Sequence, residues 1–138
     1  WLINPELGCA AGMYQSRGNV SMALEMSEVR ATAKLARHLQ VYVRSMVRQY
    51  IEEGVHNEEV YTEDLAQNVS EVVVNVSMNG AVPRKTAIHG KNFYTLVCMD
   101  PQTFIDSFDD MEQLDERVRN GLRSRASKSF SELERKFE

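Results

Sequence analysis

Asn19 to Gly54, NVSMALEMSEVRATAKLARHLQVYVRSMVRQYIEEG, decides how the rest of the chain is read. Asn19 is a good helix N-cap, and no helix breaker follows until Gly54, which suits a C-cap. Met22, Val29, Ala33, Ala36, Leu39, Val43, Met46, Val47, Tyr50 and Ile51 recur at helical spacing and are expected to form one broad apolar face. Arg30, Lys34, Arg37, Arg44 and Arg48 fall on the other side. Such a helix runs to about 50 Å, long enough for a bend or break within it.

Before the helix, Leu7 to Tyr14 is a short apolar run read as a first strand, with Gly8 and Gly12 marking bends or close backbone approach. Gln15 to Gly18 is a polar turn. After it, Val55 to Gln67 is polar and acidic, and Thr62-Glu-Asp-Leu can start a helical turn. Ser70 to Met78 is rich in β-branched residues and alternates after Val73, which predicts a strand with Val72, Val74, Val76 and Met78 inward. Asn79-Gly80 is a turn signal. Val82 to Ile88 is expected to continue pairing irregularly, with Pro83 confining it to an edge. His89 to Asn92 is a second turn, and Phe93 to Met99 is the last strand.

A second long helix is expected from Gln102, carrying Phe104, Phe108, Met111, Val118, Leu122, Phe130, Leu133 and Phe137. Its far apolar positions need a partner, either the first helix or another subunit. Gly121 is a weak point within it. The predicted fold is α+β: a small antiparallel sheet, strand-helix-strand-strand, covered by a long helix and followed by a long C-terminal helix. The 138 residues suffice for one domain, with 102–138 extending from it as the C-terminal helix.

The net charge of −4 gives no global attraction to nucleic acid or anionic lipid. No apolar run reaches the length of a membrane span. A chain that opens on Trp1 rather than Met is expected to be a processed or truncated product. His38, His56 and His89 have no partners at metal-ligand spacing, and His56-Asn-Glu-Glu59 reads as a solvated loop. No phosphate-binding glycine loop or nucleophile elbow occurs. The reading therefore assigns no catalytic, cofactor-binding or metal residues.

Cys9 and Cys98 both lie in apolar stretches. They are read first as small buried hydrophobes. A bridge between them requires neighbouring strands and an oxidising compartment. The five cations of the first helix meet either solvent or acidic surface on a neighbouring copy, such as that offered by Glu58, Glu59, Glu63, Asp64, Asp106, Asp109 and Asp110. Without interleaved aromatics they do not read as a nucleic-acid site. Asn19, Asn68 and Asn75 each open an Asn-Val-Ser sequon, relevant only to a eukaryotic secretory protein.

Several segments in order carry a family resemblance: Trp1-Leu-Ile-Asn-Pro5, Ala10-Ala-Gly12, Ala31-Thr-Ala-Lys-Leu-Ala-Arg37, Val41-Tyr-Val-Arg-Ser45, Tyr94-Thr-Leu-Val-Cys-Met99 and Ala126-Ser-Lys-Ser-Phe-Ser-Glu-Leu133. Together they resemble the Lpp-twenty bacterial outer-membrane lipoprotein family. The resemblance implies a secreted precursor, lipid attachment at a mature N-terminal cysteine, and residence on the periplasmic side of the outer membrane. In one branch it implies assembly into a ring or disk of the flagellar motor, with other flagellar or outer-membrane proteins as partners. Cys9 lies inside the first strand, so a lipid-bearing cysteine is expected upstream of Trp1. The function expected is that of a non-enzymatic, self-assembling homo-oligomer needed for motility. Arg30, Lys34, Arg37, Arg44, Arg48, Phe130, Leu133 and Phe137 are its expected interface residues. The alternative is an envelope module that binds a small ligand or lipid between the sheet and the first helix.

Overall fold

The computed structural model describes the backbone of residues 8–52, 63–111 and 116–137, and the side chains of 8–50, 66–109, 111, 116 and 118–128. The chain is α+β. Strand β1 (Cys9–Gln15) leads into helix α1 (Val20–Glu52), then helix α2 (Glu63–Asn79) and the hairpin β2 (Val82–His89) and β3 (Asn92–Cys98). A short helix α3 (Pro101–Asp106), a 3-10 turn (Ser107–Asp110) and helix α4 (Glu116–Phe137) follow. The three strands form one antiparallel sheet in the order β1-β3-β2.

Helix α1 begins where the sequence predicts, because Asn19 Oδ1 accepts the Met22 N–H at 3.0 Å. It runs unbroken through its 33 residues. Ala23, Ser27, Ala31, Leu35, Leu39, Val43 and Val47 are buried, one every four residues, with Met46 buried beside the last of them. A four-residue repeat on a helix of 3.6 residues per turn winds its buried stripe roughly two-thirds of the way round by Val47. The first half of α1 therefore faces the sheet, and the second half faces α2 and α4. One broad face running straight along the helix was the wrong expectation. Met22 and Val29 are half in solvent and Ala33 is exposed, whereas Leu39, Val43, Met46 and Val47 are buried as expected. The Ile51 side chain and Gly54 lie outside the described residues.

The segment Ser70–Met78, predicted as a strand, is the body of α2. Its fully buried residues are Ala66, Val69, Ser70, Val73 and Ser77, at the three- and four-residue steps of a helix. Val72, Val74, Val76 and Met78 are only half-buried. β-propensity lost here to tertiary packing, since this face covers the C-terminal half of α1 and completes its core. The strand-helix-strand-strand order is thus corrected to strand-helix-helix-strand-strand.

The β2–β3 hairpin turns at Gly90, whose φ of 64° is a left-handed conformation that glycine adopts without strain. β2 is an exposed edge, irregular between Pro83 and Lys85, as the sequence predicts. Asp100 then caps α3 through Gln102 N–H and the Thr103 hydroxyl, with Pro101 in the first helical position.

The single long helix expected from Gln102 does not form. The chain tightens into the 3-10 turn at Ser107, whose hydroxyl donates to Phe104 O at 2.6 Å, and becomes extended at Met111. No glycine or proline marks this break. It is imposed by burial of Phe104, Ile105, Phe108 and Met111 within the core. Helix α4 then packs back on α3 and the 3-10 turn, with Val118, Leu122 and Ala126 buried. Arg123 fastens this hairpin, with Nη2 3.0 Å from Asp106 Oδ1 and Nε 3.3 Å from Asp109 Oδ2. Those α4 positions need no partner from another copy. Gly121 is a contact point and not merely a weak one, because the Tyr50 ring lies over it and Arg125 stacks on that ring at 5.1 Å.

Candidate assembly surface

The sheet and α1 meet more closely than ordinary side chains allow. At Gly12 an added Cβ would lie 2.3 Å from Ala31 N and 2.4 Å from Ser27 O. This is the close backbone approach that the glycine signals in the sequence. It explains why the inner residues opposite β1 are Ala23, Ser27 and Ala31, all fully buried. The Ser27 hydroxyl donates to Leu24 O at 2.8 Å. It also lies 2.6 Å from Thr95 Oγ1, so the Thr95 hydroxyl supplies the second proton and both buried groups are satisfied. Around Gly12 this contact leaves no room between the backbones of β1 and α1.

Small residues inside leave the larger ones outside. Met22, Met26, Val29 and Ala33 follow one another by four, three and four residues, on the side of α1 turned away from the sheet. Met22 and Val29 are 50% and 53% exposed, while Met26 is half-buried. The same stripe reaches half-buried Ala36, and Val43 further along it is fully buried. This outward stripe is an apolar surface that the chain's own described elements leave in solvent, as they do Val41 and Ile88 elsewhere.

The expected cationic stripe lies beside it. Arg30 donates from Nη1 to Met13 O at 2.9 Å and holds its guanidinium 4.9 Å over the Tyr14 ring, so it also caps the free edge of β1. Lys34 and Arg37 are exposed. Arg44 is half-buried, with an Nε that has no hydrogen-bond partner among the described residues. Arg48 is exposed. The five are brought onto one flank of α1. Of the acidic surfaces set against them in the sequence, Asp106 and Asp109 are engaged by Arg123. The Arg123 hydrogen bond, and then that from Gln102, hold the Asp106 carboxyl below its usual range, while the pairing raises Arg123. His56, Glu58 and Glu59 lie outside the described residues, as do the side chains of Glu63, Asp64, Asp110, Phe130, Leu133 and Phe137.

Cys9 and Cys98 are joined by a disulfide, against the first reading of both as free buried thiols. β1 and β3 are neighbours, and the register sets the two residues directly opposite, with Cα atoms 4.1 Å apart. The adjacent pair exchanges the ladder bond Met99 N–H to Gly8 O, which makes the cysteine pair one of the closely spaced, non-hydrogen-bonded kind. The bridge spans 89 residues of chain, and a loop of that length contributes roughly 4–5 kcal/mol in the chain-entropy account.

Asn19, Asn68 and Asn75 are exposed, the first as a helix cap and the others on the outer side of α2. Among the described residues no group of three metal-ligating side chains comes together, and no helix is long and apolar enough to cross a membrane. No family model matches the chain, and no curated protein matches it.

Proposed function

We propose that this chain is a non-enzymatic envelope protein that works by assembling with copies of itself. The observation that carries the reading is the outward stripe of α1, where apolar side chains remain in solvent after one copy has folded. Exposed apolar surface bordered by charge is a feature of interaction sites. The Cys9–Cys98 disulfide supports a place outside the cytoplasm, where such bonds persist.

Within that reading, the resemblance to the Lpp-twenty lipoproteins suggests the more particular role. The chain would be held by a lipid anchor upstream of Trp1 on the periplasmic side of the outer membrane. There it would form a ring or disk component of the flagellar motor, like FlgP, alongside other flagellar or outer-membrane proteins. Phe130, Leu133 and Phe137, at helical spacing near the end of α4, are proposed to pack between copies together with the cationic flank of α1. Head-to-tail contacts generate rings when the rotation closes, and isologous contacts close dimers.

Native mass spectrometry of freshly purified protein tests this reading. A large discrete oligomer, visible as rings in negative stain, is expected. Replacing Phe130, Leu133 and Phe137 together with Ser should lower its mass. A monomer carrying a retained small molecule would contradict the assembly reading and favour a ligand-binding module.

A further inference from the structure

We infer that the outward stripe of α1 is a two-fold seam, on which a second copy of this chain lays the same stripe in parallel. The inference rests on the self-assembly reading and names the surface and its geometry. Met22, Met26, Val29, Ala33 and Ala36 alternate steps of four and three, the repeat by which two helices present a shared apolar seam. The seam has a definite end. The series enters the chain's own core at Val43, which is fully buried. Among the described residues of the seam, the stretch from Met22 to Ala36 is open to another copy, about 20 Å of helix.

Charge selects the direction. Glu25 and Thr32 stand on one flank of the stripe, and Arg30 and Arg37 stand on the other. In a parallel pair, the residue just before one seam position meets the residue five places further along the neighbouring helix. Glu25 of each copy then meets Arg30 of the other, and two-fold symmetry makes the contact twice. In an antiparallel pair like flanks meet, so Arg30 and Arg37 of the two copies would face one another. Arg30 is held in one place, since its bonds to Met13 O and the Tyr14 ring fix the guanidinium beside the edge of β1. The remaining N–H groups of the fork are available to a carboxylate. Both copies would present their β1 strands at the same end of the pair. The seam is short, so it serves as one contact of a larger assembly and closes an isolated dimer only at high protein concentration.

Cysteine cross-linking tests the seam on the intact chain. Met22→Cys and Ala36→Cys, each alone, are expected to give disulfide-linked dimers on mild oxidation, several-fold above a Lys34→Cys control on the flank. Mixing the two variants, tagged to differ in size, should give mostly 22–22 and 36–36 products. Mostly 22–36 products would mean antiparallel pairing and overturn the inference, as would yields at the Lys34→Cys level. Glu25→Arg should reduce the Met22→Cys yield several-fold without changing the far-ultraviolet circular dichroism. If cross-linking fails while the unaltered chain still forms a discrete oligomer, the seam is wrong and the assembly reading stands. If the unaltered chain stays monomeric at every concentration, both fail. Flotation with phosphatidylglycerol vesicles in the absence of cross-linking would assign the stripe to a membrane surface and overturn the seam.

Discussion

Single residues fix how closely this fold is drawn together. Gly12 is required because the backbone of α1 occupies the place where any side chain would begin. Gly12→Ala should push α1 off the sheet and cost about 1–3 kcal/mol in urea denaturation, the range of core overpacking. Gly80→Ala is the control, since an added Cβ there finds its nearest contact at an ordinary 3.9 Å. It should stay within about 0.5 kcal/mol. If the two variants unfold alike, the close approach is wrong. The Asp106 carboxylate gives a pH-dependent test. Its pKa is lowered in the folded chain by Arg123 and Gln102. Its stabilisation is therefore present above the unfolded value and lost as pH falls through the folded one. The gap in melting temperature between the unaltered chain and Asp106→Asn should be small at neutral pH and shrink below about pH 4. Salt should shrink it too, because the pair is exposed. A gap that widens in acid would contradict this sign.

At the scale of elements, local signals in the sequence were sufficient where chemistry acts over a few residues. Asn19 as a cap, the turn at His89 to Asn92 and Pro83 at a sheet edge are all legible. What could not be read locally depended on partners distant in sequence. Ser70–Met78 alternates like a strand, yet the surface it covers on α1 demands the helical set of Val69, Val73 and Ser77. The break after Asp106 has no breaker residue and follows from burying Phe104 and Phe108 edge to face, with ring centroids 5.7 Å apart. In the first half of α1 the small residues Ala23, Ser27 and Ala31 face the core and the bulkier Met22 and Val29 face out, the reverse of what side-chain bulk predicts. Gly12 signals the close approach, but nothing local in the sequence sets Ala23, Ser27 and Ala31 opposite it. The residues of the outward stripe are thus legible as an apolar set, but the side they take depends on the small residues opposite β1. Val73→Ala against Val72→Ala discriminates the two readings of α2. With α2 a helix, Val73→Ala should cost about 2 kcal/mol and half-buried Val72→Ala under about 1 kcal/mol. The reverse order would restore the strand.

Among the described residues the core closes between the sheet and the four helices, and the outer stripe of α1 stays in solvent. α1, α2, α3 and α4 share one buried cluster with β1 and β3, and Cys9–Cys98 fastens the sheet that supports it. The folded-back first half of α4 buries Val118, Leu122 and Ala126, apolar surface that a straight helix would have exposed, whereas Met22 and Val29 on the outer side of α1 stay in solvent. β2, although an edge, carries Pro83, Arg84, Lys85 and a register shift, features that oppose strand addition along its first half. Helix packing is therefore the route proposed between copies. Sedimentation velocity over a wide range of protein concentration, with the disulfide intact, tests this most directly. The account predicts a sedimentation coefficient that rises with concentration toward a discrete larger species, and a Met22→Glu, Val29→Glu double variant that remains folded but sediments more slowly. A coefficient that stays at the monomer value throughout would contradict it.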